Sequence, residues 1–319
     1  MSAGILSQIS FGLESSWGNA VTPNKSLAIQ PGDGIQTDID VQLRGAIKGQ
    51  LAKNVLSFKG KSKHEGDYEF DFIPGNVGYL LKSVFGNLSS VVKSGESIVY
   101  EHTYSESELK PSLTFEQAVD QIIRRYVGSI VTNFKLACKA GETLMATTSI
   151  KAKSQASATK TTITNETLRA FNFNDCVQAS GFKIGGVAFN EVENFELEYK
   201  TNGQMMHTFG SSDPSFFYVK PSEISGKFDM YMDSATAAKY ADYLNKTEQS
   251  LDIVFTGDSI GTASNYKLAI SIPKVVFKPA KYPINDDYNL ISFEFEGIYD
   301  LTSAKLLSVI LTNLTANYN

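Results

Sequence analysis

The chain has 319 residues, a formal net charge of −5 and two cysteines. That length suits two domains, each with its own core. The mild acidity argues against sequence-specific binding of nucleic acid, and Cys138 and Cys176 read as free thiols in a reducing compartment rather than a disulfide framework. No apolar run is long enough to span a bilayer, and Met1 to Leu6 lacks the basic start and long apolar stretch of a secretory signal, so neither a membrane nor a secreted protein is expected.

Residues 1–25 read as an N-terminal arm, punctuated by Gly12, Gly18 and Pro23 and carrying the only tryptophan, Trp17. Alternation predicts strands over about 26–30, 35–43 and 54–59. From Gly66 the chain places Tyr68, Phe70 and Phe72 on one strand face. Pro74 then opens a helix that Gly86 closes, with Val77, Leu80, Leu81 and Val84 as its buried stripe. Strands are expected again near 97–104, 112–117 and 129–151. Residues 146–167, dominated by Thr, Ser, Ala and Lys, read as a long exposed hairpin or loop. A strand at 191–199 follows, then a second strand–helix unit over 224–246, with Asp233 or Ser234 as the helix cap. Strands near 250–256, 267–277 and 289–300 come next, and 301–319 reads as a short helix and a tail.

The two strand–helix units repeat in register at an offset of 160 residues, about half the chain. Tyr68, Phe70 and Phe72 fall on Phe228, Met230 and Met232; Val77, Leu80, Leu81 and Val84 fall on Ala237, Tyr240, Ala241 and Leu244. The repeat predicts a mostly β protein of two tandem modules, 26–175 and 176–300, each flanked by one α-helix. A second likeness, Asn133-Phe134-Lys135-Leu136 to Asn194-Phe195-Glu196-Leu197, has an offset of 61 and describes a different relation.

Chemistry-bearing motifs are scarce. His64, His102 and His207 have no metal-ligand spacing, the cysteines form no C-x-x-C pair, and Gly60-Lys61-Ser62 lacks the first glycine of a phosphate loop. Asp286-Asp287, after Pro283, reads as a turn rather than a cation site. Neither catalytic, cofactor nor metal residues are expected. Charge is better ordered. Basic residues without acids fill 41–64 (Arg44, Lys48, Lys53, Lys59, Lys61, Lys63) and 143–165 (Lys151, Lys153, Lys160). Carboxylates alternate with apolar residues in three strands: Asp67, Glu69 and Asp71; Glu196 and Glu198; Glu294 and Glu296. Alternation sends them away from the core, as solvated faces or as faces that repel a polyanion.

The arm Gly12-Leu13-Glu14-Ser15-Ser16-Trp17-Gly18, the stretch Ser225 to Met232 with its tyrosine-rich helix, Leu268 to Val275 and Ile291 to Glu296 together resemble the tail tube proteins of tailed bacteriophages. The resemblance implies that each tail-tube module is a β-sandwich and that strands of neighbouring modules join into a ring β-barrel. Rings of three or six chains would stack into the tube that conducts the tape-measure protein and then double-stranded DNA. The basic residues above then become candidates for ring stacking, and the seven carboxylates candidates for the lumen, with one or two of their three sets expected there. A tail sheath and a tail terminator are the other implied partners, and the implied location is the virion tail, assembled in the host cytoplasm. The alternative is a glycan- or receptor-binding β-sandwich adhesin of the virion.

Overall fold

The computed structural model describes residues 6–49, 51–178, 180–278 and 289–319, so Asp286-Asp287 lies outside the described residues. β1 (Gln8–Leu13) and β2 (Lys25–Leu27) precede a long hairpin of β3 (Gln36–Gly45) and β4 (Asn54–Asp71). α1 (Val77–Phe85) leads to β5 (Gly86–Val92), β6 (Tyr100–Glu106), β7 (Leu113–Val119), β8 (Ile122–Lys139), β9 (Met145–Ala152) and β10 (Ser154–Ser157). The second half begins with β11 (Phe182–Ile184), β12 (Val187–Ala188), β13 (Val192–Lys200) and a small flap of β14 (Gln204–Met206) and β15 (Phe216–Tyr218). It continues with β16 (Glu223–Tyr231), α2 (Ser234–Leu244), β17 (Gln249–Ile260), β18 (Ser264–Phe277), β19 (Leu290–Gly297) and β20 (Ser308–Asn313).

The fold is mostly β. Strands pair in the order β3–β4–β9–β8–β7 in the first half and β13–β16–β19–β18–β17 in the second, antiparallel throughout. Each helix follows the second strand of its set. The two sets are joined where β8 pairs with β13. This ladder explains the 61-residue likeness: Leu136 lies opposite Leu197 and Phe134 opposite Tyr199, so the two stretches are neighbours with the same inside and outside. The sheet stays open within one chain. Among the described residues β3 pairs with β4 alone.

The core lies on one side of the sheet β4–β9–β8–β13–β16–β19. Tyr68 of β4 stacks on Phe115 of β7, and Phe182 of β11 meets Phe195 and Phe228. α1 buries the expected stripe, with Leu80 at 0% exposure, and presents Phe85 to Tyr199 at 4.7 Å. Gly86, at φ 97°, ends the helix, and Lys110 Nζ donates to the last carbonyls, Val84 and Phe85, at 2.8 and 2.9 Å.

Three of the elements that differ from the sequence reading are instructive. α2 is capped by Asp233, which accepts from the Thr236 amide at 2.7 Å, while the Thr236 hydroxyl donates back to the Tyr231 carbonyl. These bonds turn Thr236, Lys239, Tyr240 and Tyr243 inward. The expected stripe is displaced by one residue, and Leu244 is 62% exposed. Residues 146–151, which fell both in the strands expected near 129–151 and in the hairpin or loop read over 146–167, form β9, between β4 and β8, with Ala146, Thr148, Ile150 and Ala152 buried. Finally, 301–319 holds a strand instead of a short helix. β20 bridges β18 and β6, and Tyr318 packs edge-on against Tyr79 of α1 at 4.8 Å.

After β10 the chain crosses the start of α1, where both Glu166 oxygens accept from the Asn76 amide at 3.0 and 3.2 Å. Burial pushes the Glu166 carboxyl up from 4.5 to about 7, against the opposing pull of that amide and Lys25. A carboxyl raised in the folded state contributes stability below pH 4.5 that is lost as pH rises towards 7. Glu166→Gln should therefore flatten the fall of melting temperature across pH 4.5–7 while leaving the rest of the profile unchanged. An unaltered slope in that window would exclude Glu166 as its source.

Candidate assembly surfaces

The register of the ladder places the carboxylates with unusual clarity. Glu69, Thr147, Lys135, Glu198, Ser225 and Glu296 lie opposite one another in one row across six strands. Asp71, Met145, Ala137, Glu196, Lys227 and Glu294 form the next row. Asp67 sits two residues along β4 on the same side. All three acidic sets thus share one face of one sheet, whereas only one or two of the three were expected to line the lumen. The reason is the β8–β13 pairing, which carries the alternation of the first half into the second without a slip.

Charge on this face is uneven. Glu196 pairs with Lys135 at 2.9 Å and Lys227 at 3.2 Å, Glu198 with Lys200 at 2.7 Å, and Glu296 with Lys278. Asp67, Glu69, Asp71 and Glu294 make no ion pair among the described residues; Asp71 accepts hydrogen bonds from Thr143 and Gln30. The half-exposed pairs contribute little individually, about 0–1 kcal/mol each. Their main effect is to leave the negative potential strongest on β4.

The basic segment 41–64 is the outer part of the β3–β4 hairpin. Arg44, Lys48, Lys53, Lys59, Lys61 and Lys63 are all exposed and form no ion pair in the described chain. Between them stand exposed apolar side chains: Val41 and Leu43 on one face, and Leu56 and Phe58 on the other, where Arg44 lies over the Phe58 ring at 5.8 Å. The tip adds Ile47 and Leu51, both fully exposed. Sequence reading weighed the charges here and missed the apolar residues, although their alternation on both strands was visible. Lys151, Lys153 and Lys160 behave differently because each turns back onto its own chain. Lys151 Nζ donates to the Gly203 carbonyl at 3.1 Å, Lys160 Nζ to the Leu6 carbonyl at 3.2 Å, and Lys153 covers the Trp17 ring at 4.5 Å.

The arm owes its sequence to one buried carboxylate. Glu14 accepts from Ser112 Oγ and Thr114 Oγ1 at 2.7 Å, the Gly128 amide at 2.8 Å and the Gly18 amide at 2.9 Å. Trp17 Nε1 donates to the Gly128 carbonyl at 3.1 Å, closing the turn over β8. Gly128 has φ 65°, and a Cβ there would lie 2.7 Å from the Lys153 side chain, so the turn needs glycine. Glu14, Trp17 and Gly18 are therefore one packed unit.

The histidines are also structural. His102 bridges Ser90 Oγ at 2.8 Å and Asn313 Oδ1 at 3.1 Å beneath Tyr318. His64 and His207 meet the base of the hairpin and the flap, where His207 Nε2 donates to the Ser62 carbonyl at 2.9 Å. Among the described residues no group of three or more His, Cys, Asp or Glu side chains could hold a metal ion.

These features define a β-rich protein whose chemistry is spread over wide faces rather than gathered into a cleft. The family model for phage tail tube proteins matches residues 4–297 of the 319, and the chain belongs to that family. It is a structural family of the virion tail and not a family of enzymes. No curated protein matches the chain.

Proposed function

We propose that the chain builds the tail tube as rings stacked along the strand direction, with the face bearing the three acidic sets lining the lumen. The observation that carries this reading is the single polar face that runs unbroken through both halves, opposite a single dry face. A tandem pair of tail-tube modules accounts for the repeated strand order, and the β8–β13 pairing inside the chain is the pattern for pairings between chains. Three chains then make a pseudo-sixfold ring that closes the open strand edges. The β3–β4 hairpin projects beyond the end of the sheet and lies along a neighbouring ring. Its two-sided apolar surface supplies most of that contact, and its lysines and Arg44 give the contact its salt sensitivity.

The tape-measure protein and then double-stranded DNA pass through the lumen without sequence recognition. DNA carries one charge per ~1.7 Å of axis, so a basic lining would hold it by counterion release, whereas an acidic one leaves a hydrated gap. Electron microscopy of the purified protein tests assembly: tubes or rings are expected, and discrete particles at every concentration would favour the adhesin reading instead. Changing Asp67, Glu69 and Asp71 to Lys should leave tubes of normal diameter while slowing DNA ejection from virions. Ejection at the normal rate would place these carboxylates away from the DNA path.

A further inference from the structure

Two unassigned features lie at opposite ends of the six-stranded sheet. One is the flap, which leaves the sheet where β13 ends and β16 begins. Its tip is Phe209-Gly210; Phe209 is fully exposed, and Gly210, at φ 90°, has nothing within 4 Å of the position a Cβ would take. The flap is nonetheless held in place: the Ser62 amide donates to the Ser212 carbonyl at 2.8 Å, and His207 holds the Ser62 carbonyl from the other side. The flap is thus held on both sides of Phe209, whose ring stands in open solvent at the rim.

The other feature is a cavity of about 430 Å³ at the far end, where β8 and β16 end and β13 begins. Phe173, Val177, Phe182, Phe189, Phe195 and Phe255 line it, together with the exposed polar residues Lys139, Asn174, Gln178 and Asn190. Cys138 and Cys176 also face it, and burial pushes their thiols up to about 12 and about 11, so neither is a reactive thiolate.

We infer that this cavity is a socket for Phe209 of a second copy of the chain, stacked end to end along the strands. The inference rests on the tube reading above and names a contact within it. A projecting ring at one end and an aromatic-lined hollow at the other make a heterologous pair, the geometry that builds an open-ended stack instead of a closed dimer. The cavity is of the size that encloses a small aromatic group, and a phenylalanine ring matches its lining. The flap is better placed for the role than the hairpin tip. Beyond Ser62 the hairpin runs on through Asn54–Lys61, roughly 26 Å at ~3.3 Å per residue, and so passes the neighbouring rim while the flap meets it.

The test uses the full chain with the photoreactive aromatic p-benzoylphenylalanine at position 209. Irradiated tubes should yield chain-to-chain adducts that map to 173–178 or 189–195. Phe209→Ser, on an exposed turn, and Val177→Asp, on the cavity wall, should each leave a folded chain and raise the concentration needed for tube growth at least about tenfold. Phe209→Leu should restore most of the growth. Tubes that form normally with both substitutions, or adducts that map only elsewhere, overturn the socket while leaving the tube intact. Wild-type protein that forms neither rings nor tubes overturns the tube reading and the socket with it.

Discussion

Leu80→Asp is expected to abolish recovery of folded protein, whereas Leu244→Asp should leave the isolated chain nearly as stable as the wild type. The two leucines occupy equivalent places in the repeat, yet Leu80 is 0% and Leu244 62% exposed. An aspartate at 80 would be an unpaired charge between α1 and the sheet, costing on the order of 4 kcal/mol or more. Domains of ordinary stability have about 5–15 kcal/mol in total, so little would remain. At 244 the same charge meets water, and the change should stay within about 0.5 kcal/mol. Urea unfolding of both variants checks the contrast. A Leu244→Asp protein that fails to fold would show that α2 buries the face bearing Leu244.

A second large effect is expected from Glu14→Ala. Four donors converge on this carboxylate, two of them backbone amides that cannot turn elsewhere. Hydrogen bonds to a charged group contribute about 1.5–3 kcal/mol each, and stranded buried donors add a desolvation cost. Loss on the order of 3–5 kcal/mol is expected, with the arm becoming open to protease. Glu14→Gln keeps one acceptor oxygen and should fall between the two. If Glu14→Ala unfolds at the wild-type urea concentration, the arm is not held by this carboxylate.

The parts of the fold legible in the sequence were those where a residue's local neighbours decide its environment. The stripe of α1 and the alternation from Gly66 to Phe72 needed only the period of helix or strand. α2 escaped by one position because a side-chain cap, not hydrophobicity, set its rotation: Thr236 was drawn inward by Asp233 and the Tyr231 carbonyl. β9 was read both as strand and as loop for a different reason. Its outward residues, Thr147, Ser149 and Lys151, belong to a polar face, and its inward Ala146 and Thr148 are small because Phe70 and Tyr68 stand opposite in the same ladder. A central strand with one polar and one small face has the composition of a loop. β20 was misread because its partners, β6 and β18, are remote in sequence.

The acidic strands were found by alternation, but their sharing of a face depended on a pairing between the halves that no local pattern encodes. The apolar cavity was likewise invisible, since its phenylalanines come from separate elements and converge only in space. Glu14 was noted as part of a family likeness; its role as a buried acceptor of four bonds had no signature in the neighbouring residues.

The place of Tyr318 bears on when the molecule can finish folding. Its ring covers Gly78 of α1, where even a Cβ would lie 2.1 Å from the ring, and its hydroxyl donates to the Gly75 carbonyl, 243 residues earlier. At ~5–20 residues per second, a ribosome takes tens of seconds to travel from one to the other. During that interval Gly78 and Tyr79 of α1 lack the ring that covers them in the folded chain. The first half therefore stays incomplete until residue 318 has been made. In the proposed tube, such a delay would separate translation from polymerisation and keep half-made chains out of the assembly.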